Sequence, residues 1–163
     1  MKLMVSQNRP FTLMYDSWKA GSRELLPLDA AEARRQVEII SAKVLSNRKP
    51  PYSLKGGLFD ALTATKGDMF AATNEEAAAA AALFEKTEGI DIEPAAGVAL
   101  ASLQQAIAEG KVEKDATIML NITGGGVRRF KSEHKLFYKK PDYVFPVDAD
   151  PETVKQVVGE LFG

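Results

Sequence analysis

Cysteine is absent from the sequence. That excludes disulfides, thiolate catalysis and cysteine zinc sites. Histidine occurs once, at His134, so a histidine-paired metal site or a Ser–His–Asp triad would rest on a single residue. No stretch approaches the roughly 18 apolar residues of a membrane span. The opening "MKLMVSQNRP" has no signal-peptide core or cleavage site, which predicts a cytoplasmic protein without membrane contact. The net charge of −1 supplies no basic field for a nucleic acid. Nor is there an internal repeat of fixed period. What is present is one domain's worth of chain, 163 residues, with an ordinary soluble balance of 45% hydrophobic and 26% charged residues.

Along the chain, helical patterns dominate. Lys2–Ser6 reads as a short strand. Pro10 is expected to open a helix through "FTLMYDSWKAG", with Tyr15 and Trp18 on its core face. In "DAAEARRQVEIISAKVLS", Asp29 is a cap, and Ala33, Val37, Ile40 and Val44 recur at helical spacing. "NRKPPYSLKGG" is a loop, "GGLFDALTAT" a short helix whose Phe59 belongs to the core, and "GDMFAAT" a turn and strand. Thr73 and Glu76 have capping-box spacing before an alanine-rich helix that Gly89 ends. Pro94 to Gly110 spans another helix, apolar on most faces and expected to be largely buried. "ATIMLNI", Ala116–Ile122, is apolar almost throughout and predicts a central parallel strand covered on both faces. A terminal helix follows Asp148 or Asp150 and Pro151. This order predicts an α/β fold: a three-layer, open, mainly parallel sheet flanked by helices.

After that strand come Thr123, Gly124, Gly125 and Gly126, then Arg128 and Arg129. Ligands of open α/β sheets bind beyond the carboxyl ends of the strands, so this loop is a site candidate. A tight strand-to-helix turn explains the glycines equally well. Neither a phosphate-binding G-x-x-x-x-G-K-[ST] nor a dinucleotide G-x-G-x-x-G occurs.

The stretches "TEGIDIEPAAGVALASL" and "IMLNITGGG" resemble the C-terminal part of fold-type II pyridoxal-phosphate enzymes, the group of threonine synthases, serine and threonine dehydratases and serine racemases. "SQNRPFTLMYDSW", "NRKPPYSLKGGLFDALT" and "LNITGGG" together are most similar to the cysteate synthases of methanogenic archaea within that group. The resemblance implies an incomplete large domain over residues 1–145, with residues 146–163 a helix on the same domain. It implies the exchange of the phosphate of O-phospho-L-serine for sulfite, on the route to coenzyme M.

The resemblance also implies residue roles. The Thr123 hydroxyl would bond the pyridine nitrogen of pyridoxal 5'-phosphate, a neutral partner suited to elimination chemistry. Gly124, Gly125 and Gly126 would let the backbone pass beside the ring. Glu93 would lie near the cofactor, or serve only as a carboxylate at a helix N-terminus. Gly56 and Gly57 match a loop near the cofactor, or simply start a helix. Gln7 and Asn8 would line the substrate channel. Arg128 and Arg129 would draw in sulfite or phosphate, or stand solvated; Arg9 and Lys55 are weaker candidates of the same kind.

No motif matches the family's Schiff-base lysine, its phosphate cup, or the asparagine at the cofactor's phenolic oxygen. No catalytic residue and no metal ligand is therefore assigned to this chain. It is expected to be inactive alone: a truncated piece, one product of a split gene whose partner supplies the lysine, or a remnant kept as an interaction module. A sheet edge without its neighbour invites pairing, so self-association or a partner chain is expected. A threonine synthase-like fragment using O-phosphohomoserine is the nearest alternative.

Overall fold

The computed structural model describes residues 1–163. They form two compact units, Met1–Glu133 and His134–Gly163. The first has an α/β fold around a parallel pair, β1 (Met4–Asn8) and β2 (Asp68–Ala72), in register Met4 to Asp68 through Asn8 to Ala72. Successive strand residues alternate between faces. On one face Val5 and Met69 join Tyr52 and Leu62, with Met14, Tyr15, Trp18, Leu58 and Phe59 packed around them. These come from helices α1 (Leu13–Lys19) and α3 (Leu58–Thr65). Phe59 meets Trp18 and Tyr52 edge-on, with centroids 5.6 and 5.8 Å apart, and the expected core aromatics Tyr15, Trp18 and Phe59 pack partly buried around Tyr52, which sequence reading left in a loop. On the other face Ala72 packs with Ala77, Ala80, Val98 and Ala101 of α4 (Asn74–Glu88) and α5 (Pro94–Ala108).

Local chemistry sets most boundaries. The side chain of Thr73 accepts the Glu76 amide while Glu76 accepts the Thr73 amide, closing the capping box on α4; Gly89 ends that helix at φ +73°. Asp29 caps α2 (Ala30–Ile39) by accepting from Ala31 and Glu32. Pro94 occupies the first turn of α5 as expected. In the second unit, Asp150 caps α7 (Pro151–Phe162) through the Glu152 and Thr153 amides.

Three expectations require correction. First, α1 begins at Leu13, not Pro10: Phe11 turns into a separate cluster with Ala33 and Ile40, and the Tyr15 amide of the first turn is taken by Gln7 Oε1 at 2.8 Å. Second, α2 stops at Ile39, because the chain turns to give its Ser41 amide to Asn74 and its Ala42 amide to Asn8. Val44 consequently stands 81% exposed instead of extending the apolar stripe. Third, Ala116–Ile122 is not a strand. It pairs with neither β1 nor β2, and Ile118 and Met119 face solvent. A strand covered on both faces needs a neighbour to hydrogen-bond with, and the sheet formed by this chain ends at two.

The elements are joined at Asp68, the first residue of β2. One carboxylate oxygen accepts from Trp18 Nε1 (2.9 Å), Lys19 Nζ (2.7 Å) and its neighbour's amide at Met69 (2.7 Å), and the other accepts from Lys111. Burial disfavours the charged form, but these donors, Lys111 and Lys19 foremost, outweigh it and hold the carboxyl below the ordinary range. A depressed folded value contributes stability above the unfolded value of about 4, and that stability is lost as the pH falls through the folded one. Asp68→Asn should therefore cost about 1–3 kcal/mol near neutral pH. Urea denaturation of both proteins between pH 6 and pH 2 should show the difference narrowing with acid; a constant difference would refute the role given to the charge.

Candidate cofactor-contact site

Gln105 Nε2 reaches the Ala71 carbonyl (3.3 Å), and Lys111, three residues past α5, reaches Asp68. Helix α5 thus runs antiparallel to β2, and its first turn, at Glu93, points toward the carboxyl ends of the strands. That is the side where ligands of open α/β sheets bind.

At this end the segment before α5 clasps the glycine loop. Ile92 and Gly125 form an antiparallel bridge, the Glu93 amide donates to the Gly124 carbonyl at 2.9 Å, and the Gly126 amide donates to the Asp91 carbonyl at 2.7 Å. Close approach dictates the glycine at 125: a Cβ there would stand 2.4 Å from the Asp91 carbonyl oxygen. Gly126 has φ +75°, the left-handed value glycine tolerates. The loop then enters α6 (Val127–Glu133), a helix that sequence patterning does not announce.

Asp91, also missed by sequence reading, organises this turn. Only 6% exposed, it accepts the Arg128 amide at 3.0 Å and the Arg129 amide at 3.3 Å, capping α6 from a distant part of the chain. The Arg128 amide foremost, with the Arg129 amide, holds its carboxyl below the ordinary range despite desolvation. The available signal was the acidic residue between the two isoleucines of "GIDIEP", but its partners lie 37 residues away.

The candidate residues divide by whether their polar groups are already engaged. Thr123, expected at the end of a buried strand, is exposed on the loop, and its hydroxyl has no protein partner. Glu93 begins α5 with its carboxylate unused as a cap. The clasp sets Glu93 against the backbone of Gly124, which follows Thr123: a Gly124 Cβ position would lie 3.0 Å from Glu93 Cγ. The others are engaged within the protein except Lys55, which is exposed and makes no hydrogen bond or ion pair. Gln7 caps α1, as above. Asn8, fully buried, donates to the Ala72 carbonyl (3.0 Å) and accepts the Ala42 amide (3.0 Å). The Gly56 amide donates to Asp60, which also holds Arg23 in a two-bonded ion pair. Gly57 fits where the Pro51, Leu54 and Tyr52 carbonyls converge, and Pro51 and Tyr52 accept the first amides of α3. Arg128 pairs with Glu85, and Arg129 with Glu133. Arg9 lies over the Tyr15 ring, with Nε 3.4 Å from the Ala71 carbonyl.

The site can therefore offer a neutral hydroxyl donor, a carboxylate and a backbone passage free of side chains, which suits a flat heteroaromatic ring with a hydrogen-bonding nitrogen. A family model for "Pyridoxal-phosphate dependent enzyme" matches residues 2–124, ending inside this loop. The chain is 53% identical over 142 residues to the cysteate synthase of Methanosarcina mazei, covering 86% of this chain and 34% of that protein. It is 52% identical to that of Methanosarcina barkeri with the same coverage, and 43% identical over 159 residues to that of Methanocella arvoryzae, covering 96% of this chain and 38% of the relative. The chain thus spans about a third of the length of these curated relatives.

Two outcomes follow from the clasp. Gly125→Ala forces the loop away from Asp91 and should cost about 1–3 kcal/mol by overpacking, read by urea denaturation. Asp91→Ala should speed amide exchange at Arg128 and Arg129 while leaving the capped Glu76 amide unchanged; equal exchange in both proteins would remove Asp91 as the cap.

Proposed function

Because this chain belongs to the pyridoxal-phosphate-dependent enzymes, we propose that it is the C-terminal portion of a cysteate synthase, which converts O-phospho-L-serine and sulfite to L-cysteate and phosphate on the route to coenzyme M. The observation that carries the reading is the glycine loop after Thr123, held by backbone bonds to residues 91–93 at the start of α5. Identity near 50% to proteins named cysteate synthase favours phosphoserine over phosphohomoserine as substrate.

When bound, pyridoxal phosphate supplies the electron sink for expulsion of phosphate from the β-carbon and addition of sulfite. This chain's contribution is placement. Thr123 would hold the ring nitrogen through its hydroxyl, a neutral partner that does not require a protonated nitrogen. Glu93 would lie near the bound cofactor, and Gly124 and Gly125 would keep side chains out of its way. Gln7 and Asn8 act by fixing the carboxyl end of β1, and Gly56 and Gly57 by closing the start of α3. Arg128 and Arg129, each ion-paired with a glutamate, would meet sulfite or phosphate only by exchanging that partner. The lysine nucleophile and the phosphate-binding loop belong to the part of such an enzyme that this chain does not match, and without that part no activity is expected. The assembled enzyme works in the cytoplasm. No helix is long and apolar enough to cross a membrane.

The test is complementation. The part of the Methanosarcina mazei enzyme that this chain does not match, joined to or mixed with it, should bind cofactor and release phosphate from phosphoserine when sulfite is supplied. A joined protein that folds without ever binding cofactor would favour a non-catalytic interaction module. In the active assembly, Thr123→Ala should lower cofactor affinity or rate about tenfold to hundredfold, the equivalent of about 1–3 kcal/mol for one lost buried hydrogen-bond partner. Thr123→Ser keeps the donor and should retain most function. An alanine variant matching the wild type would reduce Thr123 to a turn residue.

A further inference from the structure

Along the outer edge of β2, helices α1 and α5 leave a cleft of about 350 Å³. Met69, Phe70 and Ala71 form its floor, and Thr73 and Glu76, at the start of α4, border it. The cleft is separate from the glycine loop. Gln105, on its wall, lies twelve residues along α5 from Glu93, about 18 Å at the helical rise. Its charges are sorted by wall. Arg9 and Lys19 stand over the Tyr15 ring of α1, 5.1 and 5.4 Å from its centroid. Glu76 and Glu109 stand on the side of α4 and α5. Arg9 forms no ion pair, and Lys19 gives Asp68 only one of its N–H donors. Glu76 Oε2 accepts from the Thr73 amide and Gln105, and Glu109 Oε2 pairs with Lys111, so each carboxylate keeps its Oε1 free. Two cations face two carboxylates, which suits a ligand that carries both signs and no net charge.

The floor adds a donor and an acceptor of its own. The Leu3 carbonyl accepts the Asp68 amide (3.1 Å), and the Arg9 amide donates to the Ala72 carbonyl (2.8 Å). In a parallel ladder this turns the peptide groups of Asp68, Phe70 and Ala72 toward β1, and those of Met69 and Ala71 into the cleft. Two of these outward groups are taken. The Met69 amide donates to Asp68 (2.7 Å), and the Ala71 carbonyl is approached by Gln105 Nε2 (3.3 Å) and Arg9 Nε (3.4 Å). The Met69 carbonyl and the Ala71 amide have no partner, although both residues are buried. Blocking alternate groups keeps another strand from pairing along this edge. The one acceptor and one donor left over are open to a small molecule.

We propose that this cleft binds a small, uncharged-overall α-amino acid as its zwitterion. The carboxylate accepts from the Ala71 amide and from the Arg9 guanidinium, which already reaches the Ala71 carbonyl. The ammonium donates to the Met69 carbonyl and to the free oxygen of Glu109, whose other oxygen is held by Lys111 at the Asp68 end of the strand. Every group belongs to this chain, so the inference stands apart from the reaction proposed above.

Amide NMR of the full chain, titrated with L-serine, tests this. The Ala71 backbone signal and the Gln105 side-chain signal should shift saturably, with a Kd of about 1 mM or below. N-acetyl-L-serine lacks the ammonium and L-serinamide lacks the carboxylate, so each should bind about tenfold more weakly or worse. Arg9→Gln should weaken L-serine about tenfold and leave serinamide unchanged, and Glu109→Gln should weaken L-serine and leave the N-acetyl compound unchanged. Both side chains are exposed, and unchanged signals elsewhere in the spectrum would show that the variants keep the fold. N-acetyl-L-serine binding as tightly as L-serine would leave a plain anion site and overturn the proposal. Shifts confined to Thr123–Gly126, or no saturable shift at Ala71, would overturn it as well.

Discussion

The carboxylate of Asp68 is the contact on which the first unit depends. A two-stranded parallel sheet holds little by itself, since each strand has one neighbour and parallel pairs are marginal without helical cover. Asp68 fastens that cover. It draws in α1 through Trp18 and Lys19 and the residues after α5 through Lys111, so both helical layers are tied to the start of β2. At the other end of the pair, Asn8 does the corresponding work with neutral groups, bonding Ala72 across the sheet and Ala42 beyond α2. The two polar anchors fix the sheet at both ends, while the apolar layers between them rely on small alanines on one face and aromatics on the other.

That rigidity explains the state of the glycine loop. Its shape is set by backbone bonds to residues 91–93 and by the Asp91 carboxylate, all supplied from within the chain. The loop carries its conformation before any ligand arrives, which lowers the ordering cost of binding. The question posed by three consecutive glycines thus has two answers. Gly125 and Gly126 answer to the protein, through close approach and a positive φ. Gly124 follows Thr123 and faces Glu93, two candidates whose side chains have no internal hydrogen bond.

Features decided by neighbours in sequence were legible in advance. The capping box at Thr73 and Glu76, the Asp29 and Asp150 caps, Pro94 and the glycine at 89 all act within a turn or two, and each appears where the pattern places it. Distant contacts were not legible. Nothing near Ile40 announces that Asn8 and Asn74 will pull the chain out of α2, and nothing near Asp91 announces the amides of α6. Ala116–Ile122 is the instructive failure: its composition describes a buried strand, but strand formation requires a hydrogen-bonding neighbour as well as apolar side chains. In the site, motif resemblance named Thr123 and Glu93, which make no side-chain hydrogen bond in the protein, together with Gln7, Asn8 and the arginines, whose polar atoms serve internal bonds that only the fold reveals.

The capped α4–α5 hairpin also bears on the order of assembly. Its two helices are separated by five residues and close against each other where Gly97 lets the Ala77 carbonyl approach. The β1–β2 pair, in contrast, joins residues 64 apart, as in the bond from Asn8 to Ala72. Loop closure costs more as the separation grows, and contacts between distant residues form late. The hairpin should therefore form first and present α5 as the surface on which the strands meet. Mutations at Ala77 would then slow folding, and mutations in β1 would mainly speed unfolding. The last event would be the pairing of β1 with β2 on that surface.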